Sequence, residues 1–270
     1  MPDGDSRRSI YGLLSILLFG LSLRLLFFSG MTGYDEFHYA HIARNLALGN
    51  FSLPEVSGYY GFRYLVTIPA AFFTSVFGLN AAALSLWPLA CSLGSISVVF
   101  LLGRLLSGDR AGLIAALLYA CLPCSVISGT MLYPDETVTF FTGLSALFFL
   151  RGEKQKSGGG ILFFLLSGLF CGLGYLARIN ALLIILFFAV YAAVNGWKTG
   201  RLAFFAGLTL ALLPEAAFNF AKTGDVLFSW NAQQLRLAAD AINFELSDVW
   251  CWFLRGFPVG KAPLLILVLV

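Results

Sequence analysis

Residues 64–80 read YLVTIPAAFFTSVFGLN, and whether this segment crosses a membrane decides the side on which every loop lies. The run is apolar but short of the roughly 20 residues that a bilayer core of about 30 Å requires. It carries Pro69, and GLN at 78–80 leaves little separation from the next apolar run. The setting is unambiguous. The 270-residue chain is 59% hydrophobic and only 11% charged, with a mean hydropathy of +0.85, where a soluble domain carries about 25% charged residues. The class is an all-α, polytopic integral membrane helical bundle.

Further apolar segments lie at about 9–29, 83–106, 111–128, 137–150, 161–177, 179–196 and 202–219, with another beginning at 262. The segment at 9–29 follows Arg7 and Arg8. It is too long for the apolar region of a signal peptide and ends in no small-x-small cleavage site, so it reads as a retained first span. Between the others stand SGDR (107–110), RGEKQKSGGG (151–160) and NGWKTGR (195–201). These hold Arg110, Arg151, Lys154, Lys156, Lys198 and Arg201, with Arg104 close by. Positive charge marks cytoplasmic loops. If 64–79 crossed, these loops would alternate sides. With 64–79 lying in the interface instead, every basic loop and the N-terminus fall on the cytoplasmic side. The chain then reads as one transmembrane domain, 1–270, of about seven full spans plus the start of another. Its first non-cytoplasmic loop is 30–80. The spans at 137–150 and 161–177 are short, and their ends are expected to extend into the loops. The chain stops in LLILVLV, too short to span, so it reads as C-terminally truncated. The net charge of +3 implies no nucleic-acid partner. The five cysteines, including the isolated Cys121-x-x-Cys124 pair, read as small buried hydrophobes.

Ionisable residues gather on the non-cytoplasmic face: Asp35, Glu36, His38, His41, Arg44, Glu55, Arg63, Asp135, Glu136 and Arg178. Such residues beside lipid are costly and tend to mark function. GYDEFHYAHIARNLALGN (33–50) reads as a helix over about 35–48, opened at Thr32 or Gly33 and closed by Gly49. Asp35 and Glu36 in its first turn suit the helix dipole, and capping alone accounts for two acids there. His38 and His41, three apart with carboxylates nearby, leave a divalent metal open beside simple hydrogen bonding within the loop. YPDE (133–136) repeats the theme, with Pro134 suited to a first helical position ahead of Asp135 and Glu136. Arg63 and Arg178 sit at outer helix ends, where a cation can snorkel to headgroups or hold an anion. Arg24 and Glu215 are the charges inside spans, and Arg24 is near enough to the outer end to snorkel.

The order of these features resembles the GT-C superfamily of membrane glycosyltransferases. It is most similar to the protein mannosyltransferase type (glycosyltransferase family 39) and to the aminoarabinose transferases. Those enzymes open their first outer loop with DExxYxxIAxxLxxG, which stands here as DEFHYAHIARNLALG from Asp35 to Gly49. A basic residue and an interfacial helix ending in Phe-Gly follow, here Arg63, Pro69 and Phe77-Gly78. Next come a basic cytoplasmic turn (LLGRLLSGDRAG, 101–112), an outer Pro-Asp (Pro134-Asp135) and a glycine-rich span ending in a cation (GLFCGLGYLAR, 168–178). The resemblance covers roughly 9–195. Where many relatives have Lys-Pro-Pro ahead of the interfacial helix, this chain has Phe62-Arg63-Tyr64.

The resemblance implies sugar transfer from a polyprenyl-phosphate carrier to an acceptor hydroxyl at the outer membrane face, with inversion and Asp35 as general base. Glu36 and Asp135 complete the catalytic set; Arg63 and Arg178 are expected on the donor phosphate. Glu136, His38 and Tyr39 are expected to contact substrate. No cofactor is implied beyond the open question of a divalent metal. The implied partners are the lipid-linked donor, the bilayer, and a lipid, glycan or protein acceptor. The location is the plasma (inner) membrane, multi-pass, with a cytoplasmic N-terminus. A transporter or lipid flippase is the alternative, but the acids gather in loops on one face rather than along a pathway through the spans.

Overall fold

A computed structural model describes residues 3–28, 30–50, 59–155, 160–196 and 199–234. Glu55, Lys156, Lys198, Cys251 and the apolar start at 262 lie outside these residues. The described residues include ten bounded α-helices, a further helical segment at 228–234 and three short 3₁₀ turns, with no strand among them. The helices are α1 (Asp3–Leu26), α2 (Tyr34–Ala47), α3 (Tyr64–Phe77), α4 (Ala81–Ser107), α5 (Asp109–Cys121) and α6 (Pro123–Ser128). They continue with α7 (Pro134–Lys154), α8 (Ile161–Ala177), α9 (Leu183–Asn195) and α10 (Leu202–Thr223). Among the described residues, three helices, over 7–26, 81–107 and 202–223, are long and apolar enough to cross a membrane by length and composition.

At 14 residues α3 is about 21 Å long, short of the bilayer core, as the reading of 64–79 requires. Gly78, at φ 79°, turns the chain out of α3 in the left-handed region that glycine adopts without a Cβ penalty. Asn80 then opens α4 by accepting from the Ala83 amide at 2.9 Å.

Several expectations are corrected. The run at 111–128 is two helices, because Pro123 cannot donate to the helix ladder and forces Leu122 into an extended conformation (φ −63°, ψ 117°). The ends of α7 do reach into the loops, but α8 stops with its apolar run, since Arg178 is extended (φ −163°, ψ 134°). The segment at 179–196 begins with a 3₁₀ turn at Ile179–Leu182 before α9. Arg24 does not snorkel. It is fully buried; Nε donates to Ser92 Oγ (2.8 Å), Nη2 to Ser125 Oγ (2.9 Å), and Nη1 to the Gly20 and Ala120 carbonyls (3.0 and 3.3 Å). The helix break at Pro123 leaves the Ala120 carbonyl needing a donor, and Arg24 supplies it.

Small residues bring the helices together, as bilayer packing favours. A Cβ on Gly168 of α8 would lie 1.8 Å from the Phe204 carbonyl, and one on Gly207 of α10 would lie 1.9 Å from that of Leu165. Ser145 and Ser167 exchange hydrogen bonds of 2.8 Å with each other's carbonyls across α7 and α8. At one end of the bundle, Ser9 bonds Asp109, Arg104 pairs with Asp109, and Arg201 grips Glu153 through two bonds of 2.6 and 2.9 Å. The opposite end, where α1, α6 and α8 finish and α4 and α7 begin, carries the acidic loops.

Candidate active site

Two short acidic loops meet at that end, and each opens a helix in the same register. Tyr34 and Pro134 are first residues, Asp35 and Asp135 second, Glu36 and Glu136 third. A third-position acid leans back towards its own cap. Glu36, 1% exposed, accepts from the amides of Thr32 and Gly33 through Oε2 (2.6 and 2.8 Å). Its Oε1 accepts from the Leu132 amide of the second loop at 3.1 Å. One carboxylate thus caps α2 and ties the two loops together. Tyr133 reinforces the join: a Cβ at Gly33 would lie 2.1 Å from its hydroxyl. Glu136, 4% exposed, points into the bundle, where it accepts from Ser128 Oγ (2.7 Å) and Tyr119 Oη (3.2 Å). The expected substrate role of Glu136 gives way to one of anchoring α7.

The two aspartates face outward into one cavity of about 300 Å³, lined by Asp35, Arg63, Tyr133, Pro134, Asp135 and Arg178. Asp35 Oδ1 accepts from Tyr60 Oη at 2.8 Å, and among the described residues nothing donates to Oδ2. Arg178 Nη1 pairs with Asp135 Oδ1 at 2.6 Å, with both side chains well exposed. Arg63 donates to Tyr39 Oη, and its guanidinium lies 5.5 Å from the Tyr39 ring centre and 5.8 Å from that of Tyr60. Burial, and then the like charge of Arg178, push the Arg63 guanidinium down to about 10; Asp35 and Asp135 oppose this. Two cations that weaken each other in a partly desolvated cleft are suited to an anion. Burial, and then Glu36, raise the Tyr133 phenol above its ordinary range, which keeps it a hydrogen donor.

Of the residues expected at the site, Asp35, Arg63, Asp135 and Arg178 come together; Glu36, Glu136, His38 and Tyr39 stand behind or beside the cavity. Tyr39 is fully buried beneath Arg63. His38 stacks on Tyr60 with ring centres 4.8 Å apart and planes 6° apart. His41 is exposed and bonds Asn45 at 3.1 Å. Sequence reasoning passed over Tyr60 and Tyr133. The signal for Tyr60 was present in GYYGFR, an aromatic pair just ahead of the cation it helps to seat.

A family model described as dolichyl-phosphate-mannose-protein mannosyltransferase matches residues 65–218, more than half of the chain. The chain belongs to this mannosyltransferase family. It is also similar to the undecaprenyl phosphate-alpha-4-amino-4-deoxy-L-arabinose arabinosyl transferase of Edwardsiella ictaluri (strain 93-146). That relative is 30% identical over 194 residues, which are 66% of this chain and 34% of the relative. A crystal structure of the Archaeoglobus fulgidus oligosaccharyltransferase, tethered with an acceptor peptide, shares the fold. The TM-score is 0.62 at 20% identity, over 97% of this chain and 37% of that one. The chain therefore spans about a third of the length of these two proteins. Together the matches assign it to the GT-C superfamily of membrane glycosyltransferases.

Among the described residues, no three of His, Cys, Asp and Glu gather as a ligand set. The histidines point to different neighbours, and the two cavity aspartates share their space with two guanidiniums.

Proposed function

We propose that this chain carries the reacting end of an inverting glycosyltransferase that moves a sugar from a polyprenyl phosphate to an acceptor hydroxyl. The observation that carries the reading is the cavity itself, with two carboxylates and two guanidiniums facing one another at one end of a membrane bundle. Asp35 is the base. Its Oδ1 is fixed by Tyr60, so Oδ2 is the oxygen free to take a proton from the acceptor O–H. The acceptor oxygen forms its bond to the anomeric carbon as the carbon–phosphate oxygen bond breaks. The bonding pair leaves on the phosphate, and attack opposite the leaving group inverts the centre. Arg63 and Arg178 stabilise the phosphate as its charge grows, a contribution strongest in a cleft with little water. Asp135 holds Arg178 until the donor arrives. The family name and the printed names of both relatives agree with a transfer reaction; the acceptor here is a lipid, a glycan or a protein. The same reading puts the cavity at the non-cytoplasmic face of the plasma (inner) membrane, with the N-terminus in the cytoplasm.

The test uses the full-length protein in lipid nanodiscs with a panel of polyprenyl-phosphate sugars. Asp35→Asn is expected to lower turnover by about 10²–10⁴-fold, the usual worth of a positioned base, with an unchanged melting profile. Turnover by the Asn variant at the parent rate removes Asp35 from the mechanism.

A further inference from the structure

A second polar cluster lies one layer deeper, between α3, α8 and α10. Its centre is Glu215, which follows the helix proline Pro214 of α10. Glu215 Oε1 and Tyr64 Oη are both buried and have no hydrogen-bond partner among the described residues. Tyr64 is seated against α10: its ring meets that of Phe218 at 6.4 Å, edge to face, and Phe218 is three residues beyond Glu215 on the same helix face. Burial, and then the Glu215 charge, push the Tyr64 phenol up to about 12, so it remains a donor. Tyr175 lies near the end of α8, the helix packed most extensively against α10. Ser229 lies near both groups and bonds Asn219 at 2.9 and 3.2 Å.

A buried carboxylate oxygen without a donor is costly, and each one that a protein keeps calls for an explanation. The placement supplies one. Tyr64 directly follows Arg63, and Tyr175 stands three residues, about 4.5 Å of helix rise, before Arg178. The two cations of the cavity are thus each tethered to one phenol of the cluster. A group covalently attached to a phosphate held by Arg63 and Arg178 would be set beside the Glu215 carboxyl group and two phenols that both donate and accept. That set matches the hydroxyls of a sugar ring.

We infer that Glu215, Tyr64 and Tyr175 form the subsite for the donor's sugar hydroxyls, and so select the sugar. This rests on the transfer reading above. Among the described residues Glu215 Oε1 and Tyr64 Oη have no hydrogen-bond partner, so Glu215→Gln and Tyr64→Phe are expected to keep or raise the melting temperature. The experiment measures binding of a short-chain polyprenyl-phosphate sugar panel, and of the same polyprenyl phosphate without sugar, to the full-length protein in nanodiscs. Wild type is expected to bind at least one sugar-bearing lipid more tightly than the bare lipid. Each variant is expected to weaken that lipid tenfold or more while changing the bare lipid less than twofold. Absence of any preference for sugar in wild type overturns the inference, as does equal weakening of both lipids or weakening of neither. Transfer is scored separately with Asp35→Asn. A protein that needs Glu215 to prefer sugar lipids yet transfers nothing refutes the transfer reading and leaves the subsite standing.

Discussion

Asp35 and Glu36 are joined by one peptide bond and live in opposite environments, and the same division recurs at Asp135 and Glu136. In both pairs the aspartate reaches the cavity while the glutamate turns inward, because each pair occupies the second and third positions of a helix. The Glu36 carboxylate holds three backbone amides at once. Glu36→Gln keeps the shape but offers one acceptor oxygen and turns a donor towards an N–H. It is expected to cost about 1–3 kcal/mol, read as a lowered melting temperature, and to raise amide exchange at Leu132. Exchange at Leu132 matching wild type refutes the bridging role. At this scale the sequence is only partly informative. DE and YPDE mark where the acids are, but nothing local says that Glu136 will find Tyr119 and Ser128. Arg24 is the sharper case: its partners Ser92, Ser125 and Ala120 are 68 to 101 residues away. A reading confined to one segment sees a cation near a span end and sends it to the headgroups.

At the scale of elements, the extent of α3 was legible, since Gly78 ends an apolar run of 14 residues; α9 is as short at 13 residues, so length alone does not separate an interfacial helix from a span. The break at Pro123 was written in the chain too, but hydropathy averages over it. The short loops between Leu122 and Pro134 follow from that break, since it shortens α6 to six residues. The closest approach in the bundle is between α8 and α10. A side chain at Gly168 or Gly207 meets a backbone carbonyl, which cannot rotate aside as a flexible side chain can. Gly168→Ala is therefore expected to cost at least the 1–3 kcal/mol typical of overpacking, measured by thermal unfolding in detergent. A melting temperature equal to wild type contradicts the close crossing.

At the scale of the whole molecule, the basic loops and the acidic loops occupy opposite ends. Ser9 meets Asp109 at one end, and Asp35, Asp135 and Arg178 share a cavity at the other. Both His41 on α2 and Arg110 on α5 are exposed, which makes them reporters of the two ends. In a background lacking the five native cysteines, His41→Cys is expected to react with an impermeant maleimide added to intact cells. Arg110→Cys is expected to react only after lysis. The reverse pattern refutes the assigned orientation. At the basic end Glu153 and Arg201 are buried to 7% and 3% exposure, while at the acidic end Asp135 and Arg178 stand open at 55% and 40%.

That open end has a property set by the Leu132 amide resting on Glu36. The second loop carries Asp135, and with it Arg178; the helix that Glu36 caps carries Asp35. A molecule that shifts either loop must move or strain the other, so the two halves of the cavity do not fill independently. Under the proposed transfer, thermodynamic reciprocity then applies: whatever factor a lipid phosphate seated at Arg178 would contribute to the grip on a hydroxyl at Asp35, the hydroxyl would return to the phosphate.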